Sequence, residues 1–313
     1  MIEKGFLIYA NNTWKTDYLK QAYALGLSIK LFNPNAHITV VTNTEVNDRY
    51  EKVLDDVIFN KIAKRKDRIG GNSKNSQLVQ IPEKKVIKKG VRTYKIQPRS
   101  ILNAEDRVNA FDISPYLKTI VLDADTLVTE NLDGWWKYLK NYMIFYSSTI
   151  RTYRGVIDSS VVYRKVFVRN QLPNLYNSIH YFEKSEEAAL FYRMQRLVIE
   201  NWKLFYDKYT PTKKQKWCSM DVSSAITSKL LCNEDEITAK DSFINVVHLK
   251  PKHQGWKFDY VKSSTAVTLN FSKNNFYIGN YKQNGIIHYV EKGFLTDYLI
   301  KQLEEANETV LAV

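Results

Sequence analysis

The stretch SPYLKTIVLDADTLVTENLD, Ser114 to Asp133, decides how this 313-residue chain is read. Within it TIVLDAD (Thr119 to Asp125) is an apolar run of strand length that closes on two carboxylates, Asp123 and Asp125, one residue apart. Both leave the strand where the chain begins to turn, so both can reach a hard divalent cation, which takes several oxygen ligands and shares them with phosphates. At the carboxyl edge of an α/β sheet this is where a nucleotide diphosphate would lie. Taken alone the triplet is equally an ordinary acidic turn, so its surroundings carry the reading.

Upstream, GFLIYA (Gly5 to Ala10) is a buried-strand run followed by the polar turn Asn11-Asn12-Thr13. Tyr18, Ala22, Leu25 and Ile29 then fall on one face of a helix that Asn33-Pro34-Asn35 stops, and HITVVT (His37 to Thr42) reads as a second strand. This is the opening βαβ of a nucleotide-binding α/β sheet. A third strand, VIFN (Val57 to Asn60), and a helical stretch from Ser100 to Ile113 complete the approach to the acidic pair. Downstream, YMIFYSS (Tyr142 to Ser148) and GVIDSSVVYRK (Gly155 to Lys165) are strand candidates. Two long amphipathic stretches, roughly 170 to 182 and 186 to 208, and a shorter one after Met220 follow. FINVVHL, AVTLNF and GIIHYV read as strands, and an amphipathic helix runs from Phe294 to about Thr309. No internal repeat and no linker divides the chain, which reads as one domain.

Composition is that of an ordinary globular chain, with 44% hydrophobic and 25% charged residues, and no apolar run reaches the roughly 18 residues of a membrane span. The opening MIEKGFLIYANNT does not look like an export signal, and Cys218 and Cys232 lack any ligand spacing, so reduced thiols and a cytoplasmic location are expected. The charge is unusual. The net +13 suggests a polyanionic partner, and it is concentrated: Lys61 to Arg99 holds thirteen Lys and Arg against Asp67 and Glu83, a net +11. With Gly70-Gly71, Pro82, Gly90 and Pro98, this segment reads as a loop-rich insertion or hairpin outside the core.

The block Ser114 to Asp133 resembles the glycogenin-like retaining glycosyltransferases, which include lipopolysaccharide galactosyltransferases. The shared features are Tyr-x-Lys before the strand, Asp-Ala-Asp-Thr-Leu-Val, and the closing Asn-Leu-Asp. The resemblance implies an α/β fold with a single GT-A, Rossmann-like nucleotide-sugar transferase domain. In that fold a mostly parallel central sheet carries a nucleotide-sugar half (1–60 and 100–135) and an acceptor half with the C-terminal helix (136–313), and the basic insertion is 61–99. It further implies that Asp123 and Asp125 hold Mn2+ (or Mg2+) on the pyrophosphate of a UDP-sugar, and that Arg107 contacts the sugar nucleotide, with Asn11 and Tyr18 in the loop and helix that cradle the base. Ile157 to Tyr163 is similar to the strand lining the sugar pocket, with Asp158 in place of Asn. Cys218-Ser-Met-Asp221 looks like the acidic helix start, with Val222 where Gln is expected. This nominates Asp158 and Asp221 as catalytic carboxylates. GIIHYVEKGF nominates His288 as the third metal ligand and Lys292 as a phosphate contact, with His248 in INVVHLKPKHQGW competing for the ligand role.

The chemistry implied is sugar transfer to an acceptor hydroxyl, with the departing phosphate taking the acceptor proton in a retaining mechanism. For the acceptor, Lys64, Arg65, Lys66, Lys84, Lys85, Lys88 and Lys89 are the candidate polyanion contacts. Tyr94 is the only aromatic of the segment, which favours backbone tracking over base stacking. The leading expectation is a hydroxymethylated pyrimidine of duplex DNA, of the kind phages glycosylate in the host cytoplasm. The alternatives are a peripheral enzyme of lipopolysaccharide, teichoic acid or capsule synthesis held on an anionic membrane, and a non-catalytic nucleic-acid-binding protein on the same fold.

Overall fold

The computed structural model describes residues 1–59, 107–157, 164–212, 217–239, 244–249, 269–272 and 274–308, with the backbone alone at 83–88, 91–95 and 309–311. Asp158, Lys64, Arg65, Lys66 and Lys89 lie outside the described residues, as do the side chains of Lys84, Lys85 and Lys88.

The strands in chain order are β1 (Ile2–Ala10), β2 (Ile38–Thr42), β3 (Asp56–Phe59), β4 (Glu83–Lys88), β5 (Val91–Lys95), β6 (Tyr116–Asp123) and β7 (Thr126–Val128), then β8 (Ile144–Ser147), β9 (Tyr176–Glu183), β10 (Val246–Leu249), β11 (Leu269–Ser272), β12 (Asn275–Ile278), β13 (Tyr281–Lys282) and β14 (Ile286–Tyr289). The central sheet has the order β3-β2-β1-β6-β9-β8. Its first four strands are mutually parallel, and β9 and β8 extend it antiparallel. The expected α/β architecture with a mostly parallel sheet is therefore present. A second sheet, β10-β14-β7, shares the chain turn after β6, and β4 and β5 form an antiparallel pair within the basic segment.

The central strands are apolar on both faces because both faces are covered. Phe6, Ile8 and Ala10 of β1 pack with Leu19, Ala22, Leu25 and Ile29 from the helix Tyr18–Phe32, while Leu7 and Tyr9 meet Val166, Phe191 and Val222 from later helices. Asp17 caps the first helix by accepting from the Lys20 N–H at 2.9 Å. The helix Asp297–Leu311 covers the flank of that first helix, with Leu299, Ile300 and Leu303 joining Tyr23, Leu27 and Leu31 in one cluster.

Two stretches depart from the sequence reading. In the strand candidate GVIDSSVVYRK the described residues 155–157 and 164–165 lie in no strand, Ile157 makes only an isolated bridge to Arg151, and Lys165 opens a helix. The amphipathic run 170–182 contains a strand, β9, reached after the short helix Lys165–Asn170 and the break at Pro173. Seven of the eight β9 residues are buried, so burial on both faces removes the alternation that marks a half-exposed strand. The second run, 186–208, is two helices, Glu186–Glu200 and Trp202–Tyr209, with Asn201 between them. Among the described residues no helix is long and apolar enough to cross a membrane.

Candidate active site

Strand β6 is fixed between β1 and β9, and it delivers Asp123 to the carboxyl edge of the parallel strands, level with Tyr9 at the end of β1. The chain then turns sharply. Thr126 Oγ1 donates to the Asp123 carbonyl at 2.7 Å, and β7 begins at once in the second sheet. There Thr126 lies opposite His288 of β14, and the Tyr289 N–H donates to the Asp125 carbonyl at 3.0 Å. The acidic turn and a histidine more than 160 positions away are thus joined by strand register.

The result is a compact donor group. Asp123, Asp125 and His288 each offer one ligand atom, all within 4.8 Å of one another, and His288 Nε2 stands 3.6 Å from Asp125 Oδ2. Oxygen and nitrogen donors about 2.1 Å from a shared cation would themselves be about 3–4 Å apart, and two carboxylates with an imidazole suit a divalent metal of Mn2+ or Mg2+ type. The residues fit such an ion.

Each carboxylate also has a cation. Arg107 Nη1 is 2.5 Å from Asp123 Oδ1, and the Lys292 ammonium contacts Asp125 Oδ2. Burial alone would raise the Asp125 carboxyl, but His288 and Lys292 hold it well below the usual carboxylate range. Burial pushes the Asp123 carboxyl up, against the pull of Arg107, with the charge of Asp125 adding to the rise. Burial also opposes charge on His288, yet Asp125 and Asp123 together raise its imidazole above the ordinary value. Lys292 Nζ lies 5.2 Å from the centre of the Tyr18 ring, which brings the start of the first helix to the same site. Asn11 follows β1 directly, on the sheet edge that carries Asp123.

Asp221 stands at the head of the helix Met220–Leu231, near enough for its charge to act on Asp123. Its carboxylate is tied down: Oδ2 accepts from Arg164 Nη1 at 2.5 Å and Oδ1 from the Asn177 N–H at 3.0 Å. Arg164 is itself buried between the Phe167 and Tyr176 rings, with Nε on Asn174 Oδ1 at 2.8 Å and Nη2 on the Leu175 carbonyl. Asn177 continues inward to Ser224 at 3.0 Å, and Gln195 reaches the same hydroxyl at 2.6 Å. This is a buried polar layer under the site.

The structure therefore brings Asp123, Asp125, His288, Arg107, Lys292 and Tyr18 together and sets Asp221 beside them. His248 is not in the donor group; it lies behind His288, with the two Nδ1 atoms 3.1 Å apart. Sequence reasoning passed over Arg164 and Asn177, whose roles follow from strand and helix placement with no local motif to mark them. It also passed over Asn12, which braces the turn before the first helix by accepting from the Leu19 N–H at 2.8 Å and bonding Asn43 twice. The polar run Asn11-Asn12-Thr13 was the available signal for that brace.

A comparison with protein-family profiles gives no match. Rabbit (Oryctolagus cuniculus) glycogenin-1 is 23% identical over 171 residues, covering 50% of this chain and 45% of the rabbit protein. Human glycogenin-1 is 22% identical over 255 residues, covering 69% of this chain and 67% of the human protein. The chain thus spans about half the length of the rabbit and mouse relatives it matches, 45% of each. Among solved structures, mouse xyloside xylosyltransferase 1 superposes with a TM-score of 0.52 at 12% identity, covering 95% of this chain and 100% of that one. An active-site mutant of LgtC superposes at 0.50 with 9% identity, covering 97% and 95%. The fold is that of the GT-A glycosyltransferases, and the chain is similar to glycogenin in sequence.

Proposed function

We propose that the chain is a metal-dependent glycosyltransferase that moves a sugar from a nucleotide diphosphate donor to an acceptor hydroxyl. The observation that carries this is the donor group Asp123, Asp125 and His288 at the carboxyl edge of the parallel strands, with Arg107 and Lys292 against it. The two carboxylates are balanced by Arg107 and Lys292, so a divalent cation added there leaves an excess of positive charge. A diphosphate is the anion that answers such an excess. The glycogenin similarity and the GT-A fold support the same assignment.

In this reading Asp123, Asp125 and His288 hold Mn2+ or Mg2+. The bound ion supplies Lewis-acid stabilisation of the pyrophosphate as charge collects on the leaving group. Arg107 and Lys292 add fixed positive charge on either side, and Arg107 offers the planar fork suited to phosphate oxygens. Asn11 and Tyr18 meet the nucleoside end of a UDP-sugar. Asp221, kept in place by Arg164 and the Asn177 N–H, faces the donor sugar, where a carboxylate stabilises an oxocarbenium-like centre; Asp158 is assigned the same task from the sequence resemblance alone. With retention the departing diphosphate takes the acceptor proton, and no separate general base is needed.

For the acceptor, the relevant observation is the net +11 confined to Lys61 to Arg99. We assign this segment to an acceptor that carries several phosphates, with hydroxymethylated duplex DNA as the first candidate and an anionic membrane-borne glycan precursor as the second. The test is to incubate the protein with Mn2+ and a panel of nucleotide sugars, with and without hydroxymethylated duplex DNA or lipid-linked acceptor, and to follow nucleoside diphosphate release and acceptor mass. Donor hydrolysis or transfer with one nucleotide sugar is expected. Release with none of them contradicts the transferase assignment, and incorporation into lipid-linked acceptor alone contradicts the DNA one.

A further inference from the structure

The two strand-end histidines form one unit. β10 and β14 run parallel with His248 opposite His288, their rings 4.8 Å apart and inclined at 63°, and the two Nδ1 atoms are 3.1 Å from each other. At that distance a single hydrogen lies between two nitrogens, so one ring donates and the other accepts. The other end of His288 decides which. Its Nε2 faces Asp125 Oδ2 at 3.6 Å and belongs to the donor group. With a cation held by this donor group, His288 must offer its Nε2 lone pair to the ion and so carries its proton at Nδ1. In that state the shared hydrogen belongs to His288, and His248 accepts it.

We propose that His248 is a positioning residue for the metal site: its Nδ1 accepts the His288 Nδ1–H and so fixes the tautomer and ring plane that present His288 Nε2 to the cation. The proposal rests on the reading of Asp123, Asp125 and His288 as a metal site. A metal-binding histidine ordinarily gives its second N–H to a carboxylate, a carbonyl or water; here a buried imidazole takes that place. His248 is only 6% exposed, between the core residues Val247 and Leu249, and its own N–H donates to the Arg151 carbonyl at 3.0 Å. Held in this way, it can keep the His288 ring from turning. The opposite arrangement, with the hydrogen on His248, would put a proton on His288 Nε2 and remove the lone pair that the cation needs.

The test uses the full chain and two readouts that need no turnover. Long-range nitrogen NMR of the imidazoles in the Mg2+-loaded protein, a diamagnetic state, is expected to show His288 protonated at Nδ1 and His248 unprotonated there. Mn2+ binding, followed by the loss of the free-ion EPR signal, is expected to weaken by about 10–100-fold in His248→Phe. His248→Asn places an acceptor oxygen near the lost Nδ1 and is expected to recover most of that affinity, which separates positioning from general damage to packing. A proton found on His248 Nδ1 and not on His288 Nδ1 overturns the proposal. So does a His248→Phe protein that binds Mn2+ like the wild type, or a His248→Asn protein that binds as poorly as His248→Phe. A wild-type chain that binds no Mn2+ overturns the metal reading and this one with it, and the nitrogen spectrum distinguishes that result from failure of the His248–His288 hydrogen bond.

Discussion

Arg107 Nη1 stands 2.5 Å from Asp123 Oδ1, one residue before the alanine that separates Asp123 from the Asp125–Lys292 contact. The acidic pair is thus flanked by one cation from each side, and the pairing explains how two mostly buried carboxylates share one turn. Removing either cation leaves a carboxylate that burial disfavours.

Arg107→Ala is expected to destabilise the fold by about 3 kcal/mol, because it leaves Asp123 without its partner. Urea denaturation measures this. The KM for the nucleotide sugar is expected to rise at least tenfold, with Arg107→Lys recovering charge but not the two-pronged geometry. An unchanged KM in Arg107→Ala would remove Arg107 from the donor site.

Arg164 spends its whole guanidinium on Asp221, Asn174 and the Leu175 carbonyl. Arg164→Lys cannot reproduce three directions at once, so it is expected to lower kcat more than KM and to lower the melting temperature by several degrees. Kinetics paired with thermal melts checks this. A variant with wild-type kcat would show that Asp221 needs no such support.

Gly285 immediately precedes β14 with φ +92°, and a Cβ built there would lie 2.1 Å from the Asn245 carbonyl oxygen. That carbonyl accepts from the Ile286 N–H at 2.8 Å, so a displaced Gly285 shifts the strand that carries His288. Gly285→Ala is expected to cost about 2 kcal/mol or more of stability and to weaken Mn2+ binding as well. Denaturation and EPR titration on the same preparation test both effects together.

His180, buried in β9, is held neutral: burial lowers its imidazole from 6.5 to about 3. A folded-state value below the unfolded one means that its contribution is fully present above pH 6.5 and is lost as pH falls toward 3, at about 1.4 kcal/mol per pH unit. His180→Gln, which can keep a hydrogen bond to the Tyr192 hydroxyl now 3.0 Å away, is expected to flatten that part of the stability profile. Equal pH slopes for the two proteins between pH 6.5 and 4 would contradict this origin.

The parts of the site that local chemistry defines were legible in the sequence. TIVLDAD announces a buried strand ending on two carboxylates, and GIIHYV a strand ending on a histidine, because apolar runs and their polar ends are local facts. What was not legible depends on register. His248 and His288 have the same local signature, and only the parallel pairing of β10 with β14 and the antiparallel pairing of β14 with β7 set one against Asp125 and the other behind it. Arg164 meets Asp221 across 57 positions, and nothing in either neighbourhood signals the partner. β9 was hidden for a different reason: buried on both faces, it shows aromatic and polar residues in a spacing that mimics a helix.

The central claim is that Asp123, Asp125 and His288 join a divalent cation to a nucleotide diphosphate. Its most direct measurement is calorimetric titration of UDP into the wild-type protein and Asp125→Asn, each with Mn2+ and with EDTA. Wild-type affinity is expected to depend on Mn2+, and Asp125→Asn is expected to lose about 100-fold of it in Mn2+ while matching the wild type in EDTA. UDP binding that is equally tight in EDTA, or unchanged by Asp125→Asn, would contradict it.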